Sequence, residues 1–147
     1  MNVEDWKPPV SPHGLIQESL WPDEWRILVS CLLLNQTTRK QVDKVIDSLF
    51  EKYPGPCSMA LADDDKLATI IRQLGLVNRR VKTLKRFSQE YMTKKWSAPI
   101  ELYGCGKYAD DTWRIFCKGQ WKEVSPSDHA LNNYHDYLMS LEVGENA

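Results

Sequence analysis

The sequence predicts an all-α fold, and three observations carry that expectation. Apolar residues recur at three- and four-residue spacing along most of the chain, the period of a helix with one buried face. No stretch sustains the apolar–polar alternation of a half-buried strand. Proline and glycine punctuate the chain at intervals that suit separate helices, as at Pro54-Gly55-Pro56, Gly75 and Gly104-Cys105-Gly106.

Residues 1–12 hold Pro8, Pro9, Ser11 and Pro12 and read as an extended lead-in, with 13–147 as a single domain. A first helix is expected from Gly14 to Leu20. Pro22 and Asp23 open a second, in which Trp25, Leu28, Val29, Leu32 and Leu33 make a broad apolar face. This is the expected central buried helix, ending near Asn35-Gln36. Thr38 caps a third helix running to Tyr53, with Val42, Val45, Ile46 and Leu49 inward, and Pro54-Gly55-Pro56 stops it. Met59 to Leu74 reads as one or two short helices, with Asp63 to Asp65 at an N-terminus where the dipole favours negative charge. After Gly75 a long helix is expected from Arg79 to Lys94. Its apolar stripe is Val81, Leu84, Phe87, Tyr91 and Met92, and Lys and Arg occupy the other side. Pro99 begins a short helix and Lys107 to Cys117 a second, a hairpin over about 99–117. Ser127 or Asp128 starts the last helix, with Leu131, Tyr134, Leu138 and Leu141 as its apolar face.

A chain of 147 residues is long enough for one sizeable core. Its formal charge of −1 argues by itself against a nucleic-acid protein, but the charge is unevenly spread. From Arg72 to Lys122 there are 12 Lys and Arg against 4 Asp and Glu, while the remainder has 7 against 16. A basic middle suits a phosphate backbone; a solvated helix face would look the same. The longest apolar run, Ile27 to Leu34, is far below membrane-spanning length. No charged-then-apolar leader opens the sequence, so secretion is not expected. Cys31, Cys57, Cys105 and Cys117 form no C-x-x-C pair and read as reduced thiols of an intracellular protein. His13, His129 and His135 lack metal-site spacing, so no metal is expected.

Chemistry concentrates in two places. The stretch Glu101 to Phe116 places Gly104 and Gly106 before an amphipathic helix. Both glycines can take positive φ, and the unpaired N–H groups at the helix start form an anion site that a phosphate could approach closely. A plain glycine turn between packed helices is the other reading. Twenty residues beyond Tyr108, Ser125-Pro126-Ser127-Asp128-His129 puts an aspartate at a helix start, where it could be only an N-cap.

Together these segments resemble the helix-hairpin-helix DNA glycosylase superfamily. A narrower resemblance is to the mismatch glycosylase domains of methyl-CpG-binding proteins, which remove thymine or uracil opposite guanine. It rests on Trp6-Lys7-Pro8-Pro9, Leu15-Ile16-Gln17-Glu18, Leu34-Asn35-Gln36-Thr37, Tyr91 to Trp96, Gly104 to Phe116 and Asp128 to Tyr137, which together span nearly the whole chain. No cysteine follows Cys117, so the iron–sulfur cluster of some superfamily members is not expected.

The resemblance implies a role for particular residues. Asp128 would be catalytic, its carboxylate stabilising an oxocarbenium-like sugar. Tyr108 stands where bifunctional relatives carry a lysine nucleophile; a phenol forms no Schiff base, so a monofunctional enzyme is implied. Tyr108 and Gln17 would form the base pocket, the glutamine amide reading the edge of a flipped pyrimidine. Without the resemblance, Tyr108 reads as core and Gln17 as a surface glutamine. Gln36 and Leu76 would be the wedges that enter the DNA duplex. Gly104, Gly106, Lys107, Arg79 and Arg80 would meet the DNA backbone. The superfamily hairpin sometimes holds a monovalent cation, and no other cofactor is implied. The partner would be duplex DNA with a G:T or G:U mismatch, met by a monomer in the nucleus. Two departures stand out: glutamine at 36 and alanine at 130, where the nearest family tends to carry arginine and lysine. A non-catalytic DNA-binding hairpin module and a bifunctional glycosylase/lyase are the alternatives. No methyl-CpG-binding module is present in this sequence.

Overall fold

In the computed structural model, which describes residues 5–146, nine α-helices and three 3₁₀ turns account for the regular structure, with no strand among the described residues. The all-α expectation holds. The helices are α1 (Ile16–Leu20), α2 (Glu24–Leu34), α3 (Arg39–Asp43), α4 (Ile46–Lys52), α5 (Pro56–Ala60), α6 (Asp64–Ile71), α7 (Val77–Thr93), α8 (Lys107–Phe116) and α9 (His129–Asn146).

Helix α2 is the axis of the molecule. Asp23 caps it by accepting the Arg26 N–H at 2.9 Å, and eight of its residues, from Trp25 to Leu33, are buried. Its two sides serve different cores. Leu28, Val29, Leu32 and Leu33 join α3 to α7 in the larger core, around Leu49, Met59, Leu67, Leu84 and Phe87. Ile27 faces a second core made by α8, α9 and the chain before α1, with Ile115, Phe116, Leu131, Tyr134 and Leu138. Truncating a fully buried leucine such as Leu28 would cost about 2–5 kcal/mol.

Several boundaries differ from expectation for identifiable reasons. The third helix is two, α3 and α4, broken at Lys44-Val45, where the Lys44 and Val45 N–H groups bond three residues back to Gln41 and Val42. The break keeps Val42, Val45, Ile46 and Leu49 all buried. The first hairpin helix is one 3₁₀ turn, Pro99–Glu101, closed by the Glu101 carboxylate accepting from the Ser97 and Ala98 N–H groups. Helix α7 starts at Val77 rather than Arg79. Met92 and Leu141, expected inward, are exposed near the ends of their helices.

The described part of the lead-in is extended but docked. Trp6 donates its indole N–H to Phe116 O at 3.1 Å, Pro9 O accepts the Tyr134 hydroxyl at 2.7 Å, and the Glu18 carboxylate accepts from Ser11. Gly119 has φ +66, and a Cβ there would stand 3.0 Å from the Trp6 ring. Residues 1–4 of that expected segment lie outside the described residues.

Candidate active site

A cavity of about 1130 Å³ opens between the two cores, where α1, the end of α2, and the starts of α8 and α9 converge. Gln17, Tyr108 and Asp128 all line it, so the fold brings together three side chains spread over more than a hundred residues. Cys31, His13, His129, Ala130 and Asn133 complete much of the wall.

Asp128 immediately precedes α9. Its Oδ2 accepts the Leu131 N–H at 3.0 Å, and its carbonyl accepts the Asn132 N–H at 2.9 Å. Capping occupies one carboxylate oxygen and leaves Oδ1 without a hydrogen bond from the described residues. The preceding loop is pinned from both sides: Asn132 donates to Pro126 O at 2.9 Å and Lys107 Nζ to Ser125 O at 2.8 Å. The capping and catalytic readings of Asp128 are therefore compatible.

Gln17 is buried, at 1% exposure, not on the surface. Its orientation follows from proton bookkeeping. Ser30 donates its hydroxyl proton to Ile27 O at 2.6 Å, so Ser30 Oγ can only accept from Gln17. The Gln17 atom 3.3 Å from Ser30 Oγ is therefore the amide nitrogen, which also donates to the Tyr108 hydroxyl at 3.0 Å. The carbonyl Oε1 is left as the free end of the side chain. Burial, with Cys31 and Asp128 beside it, holds the Tyr108 phenol well above its usual pKa, so it stays neutral. Burial likewise pushes the Cys31 thiol up to about 11.

Gln36 and Leu76 flank a second, smaller groove of about 270 Å³ beside the hairpin. Both are exposed, and both adopt left-handed backbone, with φ of 61° and 49°. A non-glycine residue there costs about 1–2 kcal/mol. Arg80, expected at the DNA backbone, lies beneath them instead. It is 7% exposed and donates to Gly75 O at 2.9 Å, Asn35 O at 3.0 Å and Leu33 O at 3.5 Å. Hydrogen bonds from a charged donor contribute about 1.5–3 kcal/mol each, enough to hold both strained loops. Arg79, its neighbour, is exposed in the groove and has no ion pair among the described residues.

The hairpin glycines divide their roles. Gly104 has φ +83, and a Cβ there would meet Thr83 Cγ2 at 2.6 Å and Leu32 Cδ2 at 3.3 Å, so this glycine lets the hairpin seat against α2 and α7. Gly106 has φ −115, open to any residue, with nothing within 4 Å of a Cβ; positive φ is not its role. It caps α8 with space in front of the helix start. Lys107, expected at the backbone, has its ammonium on Asp111 and Ser125 O. The Tyr103 ring carries Arg86 over its face at 4.1 Å, with the guanidinium also paired to Glu90 at 3.1 Å.

Residues 29–142 match the family described as HhH-GPD superfamily base excision DNA repair protein. The chain belongs to this superfamily. A methyl-CpG-binding domain protein 4-like protein from Arabidopsis thaliana is 43% identical over 133 residues, 90% of this chain and 30% of that protein. A thymine/uracil-DNA glycosylase from Pyrobaculum aerophilum is 34% identical over 95 residues, 59% of this chain and 41% of that protein. Among solved structures, a thermostable thymine-DNA glycosylase superposes with a TM-score of 0.62 at 26% identity, over 67% of this chain and 48% of that one. The chain thus spans less than half the length of each of these relatives. As an HhH-GPD domain, it has its hairpin glycines and its aspartate lining one cavity.

Sequence reasoning did not single out Ser30 or the clamp made by Arg80. No local signal marks either. His129 and Asn133 were findable, because they sit four apart on α9 directly after Asp128 and so share a face.

Proposed function

We propose that this domain is a monofunctional DNA N-glycosylase that releases thymine or uracil opposite guanine from duplex DNA. One observation carries the reading: the Asp128 carboxylate and the free Oε1 of Gln17 belong to the same cavity. An acceptor that cannot rotate, because Ser30 and Tyr108 hold its nitrogen, suits the N3–H donor of uracil or thymine. Cytosine presents a lone pair at N3 and would be repelled.

In this reading the pyrimidine is flipped into the cavity while Gln36 enters the gap it leaves and Leu76 plugs the guanine side. The C1′–N1 bond breaks with its electron pair leaving on the base, and positive charge develops on the sugar. Asp128 stabilises that charge. Water then adds to C1′, and the proton it sheds is taken up by the carboxylate or solvent, leaving an abasic site. Lys107 does not serve as a lyase nucleophile, since its ammonium is engaged. Arg79, Gly104 and the open N-terminus at Gly106 would meet phosphates. A monovalent cation at the hairpin would be held by backbone carbonyls, as the family resemblance implies. Guanine as the opposite base, action as a monomer and a nuclear location follow from the family resemblance.

The test is incubation with duplexes carrying G:U, G:T, G:C or A:T, followed by alkali. Strand breaks confined to G:U and G:T support the reading. Breaks at G:C, or none anywhere, refute it.

A further inference from the structure

Gln36 and Leu76 are the non-glycine residues with positive φ among the described residues, and they come from loops forty positions apart. The atoms that Arg80 holds explain how both are kept there. Gly75 O belongs to the peptide plane joining Gly75 to Leu76, and Asn35 O to the plane joining Asn35 to Gln36. The torsion φ is measured from that preceding plane, so a bond to its oxygen restrains φ of the residue that follows. A single guanidinium therefore restrains φ at both positions, through Nε at 2.9 Å and a terminal nitrogen at 3.0 Å. A third bond, to Leu33 O at 3.5 Å, ties the same group to the end of α2. Arg80 has no carboxylate partner among the described residues; carbonyl oxygens are its partners.

We infer that Arg80 is a positioning residue that couples the two wedge loops, so that Gln36 and Leu76 enter the duplex as one preorganised unit. The inference rests on the proposed function for its consequence, and on the hydrogen bonds for its mechanism. Neither loop can leave its left-handed conformation without giving up a bond to the group that holds the other. The planar fork is essential: a lysine offers one point charge at the end of a flexible stem and cannot fix two planes at once. Glycine would adopt these φ values freely but would leave the loops able to sample others, with no side chain to insert.

The experiment is a mutant cycle on the full chain. Single-turnover base release from a G:U duplex, and the fluorescence of a 2-aminopurine beside the uracil, are measured for Arg80→Lys, for the pair Gln36→Ala/Leu76→Ala, and for all three together. Coupling predicts that Arg80→Lys lowers both signals while gel-shift affinity for unmodified duplex stays near that of the parent. It also predicts that the triple variant lies within about twofold of the pair, because Arg80 acts only through those side chains. Losses that multiply would overturn the inference. So would an Arg80→Lys protein that flips and cleaves like the parent. A parent with no base release on any duplex would sink the proposed function instead.

A second variant keeps the idea testable should Arg80→Lys unfold. Gln36→Pro forces φ near −65° at an exposed site, and Asn35, with φ −66° and ψ 116°, already suits a following proline. Coupling predicts faster amide hydrogen exchange at Gly75 and Arg80, whose N–H groups bond Arg72 O at 3.1 Å and Leu76 O at 2.9 Å on either side of Leu76, as well as around residue 36. Unchanged exchange in the Leu76 loop would refute it.

Discussion

Replacing Asp128 with asparagine separates its two roles. Structurally the residue is an N-cap: Oδ2 holds the Leu131 N–H at 3.0 Å, and an asparagine carbonyl can accept the same bond. What disappears is the negative charge. Its loss at the start of α9 removes a favourable dipole interaction of about 0.3–1 kcal/mol. For a domain of this size that corresponds to a fall in melting temperature of about 2–4 °C per kcal/mol. Its loss at the sugar is far larger. Deleting one well-placed electrostatic stabiliser slows chemistry by about 10²–10³, or roughly 3–4 kcal/mol in the barrier. The two magnitudes differ enough to be told apart in one protein. The assay is single-turnover release of uracil from a G:U duplex at saturating enzyme, alongside a thermal melt and a gel shift. The expected Asp128→Asn protein is folded, binds duplex and is nearly inactive. A release rate within a fewfold of the parent would mean that Asp128 only caps α9 and that the catalytic carboxylate lies elsewhere.

Further outcomes follow from the same geometry. Gly106→Ala should lower the melting temperature only by the small cost of alanine at an N-cap and weaken binding to all duplexes alike, whereas Gly104→Ala, which meets Thr83 at 2.6 Å in a left-handed backbone, should lower the melting temperature further, by several degrees; equal melts would refute the division of roles. Borohydride should trap no enzyme–DNA adduct and strands should stay intact until alkali is added, so a robust adduct would show a lysine reaching C1′. Duplex affinity should fall by about 0.9 log units per log unit of salt for each phosphate contacted, and salt-independent binding would remove the DNA reading. Burial pushes the Cys31 thiol from 9.0 up to about 11, and Cys105 and Cys117 up to about 12. Raised folded-state values mean stability that is complete below pH 9 and lost as pH rises towards 11, because only the unfolded chain releases these protons; a melting temperature unchanged across that window would contradict the buried thiols.

What the sequence determined by itself is whatever depends on neighbours within a turn or two. Helical periodicity marked α2 as the buried axis, because nine apolar or small residues in eleven leave it no solvent face of consequence. Asp23, Thr38 and Asp63 announced helix starts, since a cap bonds an N–H three residues on. Asp128, Gln17 and Tyr108 were legible through their family resemblance, and the fold brings them to one cavity. Tertiary structure decided the rest, and in each case the deciding atom is remote in sequence. Arg79 and Arg80 are adjacent and alike, yet one lies open in the groove and the other is buried, because Asn35 O is supplied by a loop 45 residues away. Gly104 and Gly106 differ because Leu32 and Thr83 crowd only the first. Lys107 stays exposed but its ammonium is engaged because the loop at Ser125 offers a carbonyl. The Gln17 amide points one way because Ser30, thirteen residues on, has spent its only proton on Ile27. Hydrophobic pattern specifies which face of a helix is buried; it does not say which polar atom waits on the other side, and that atom sets the chemistry.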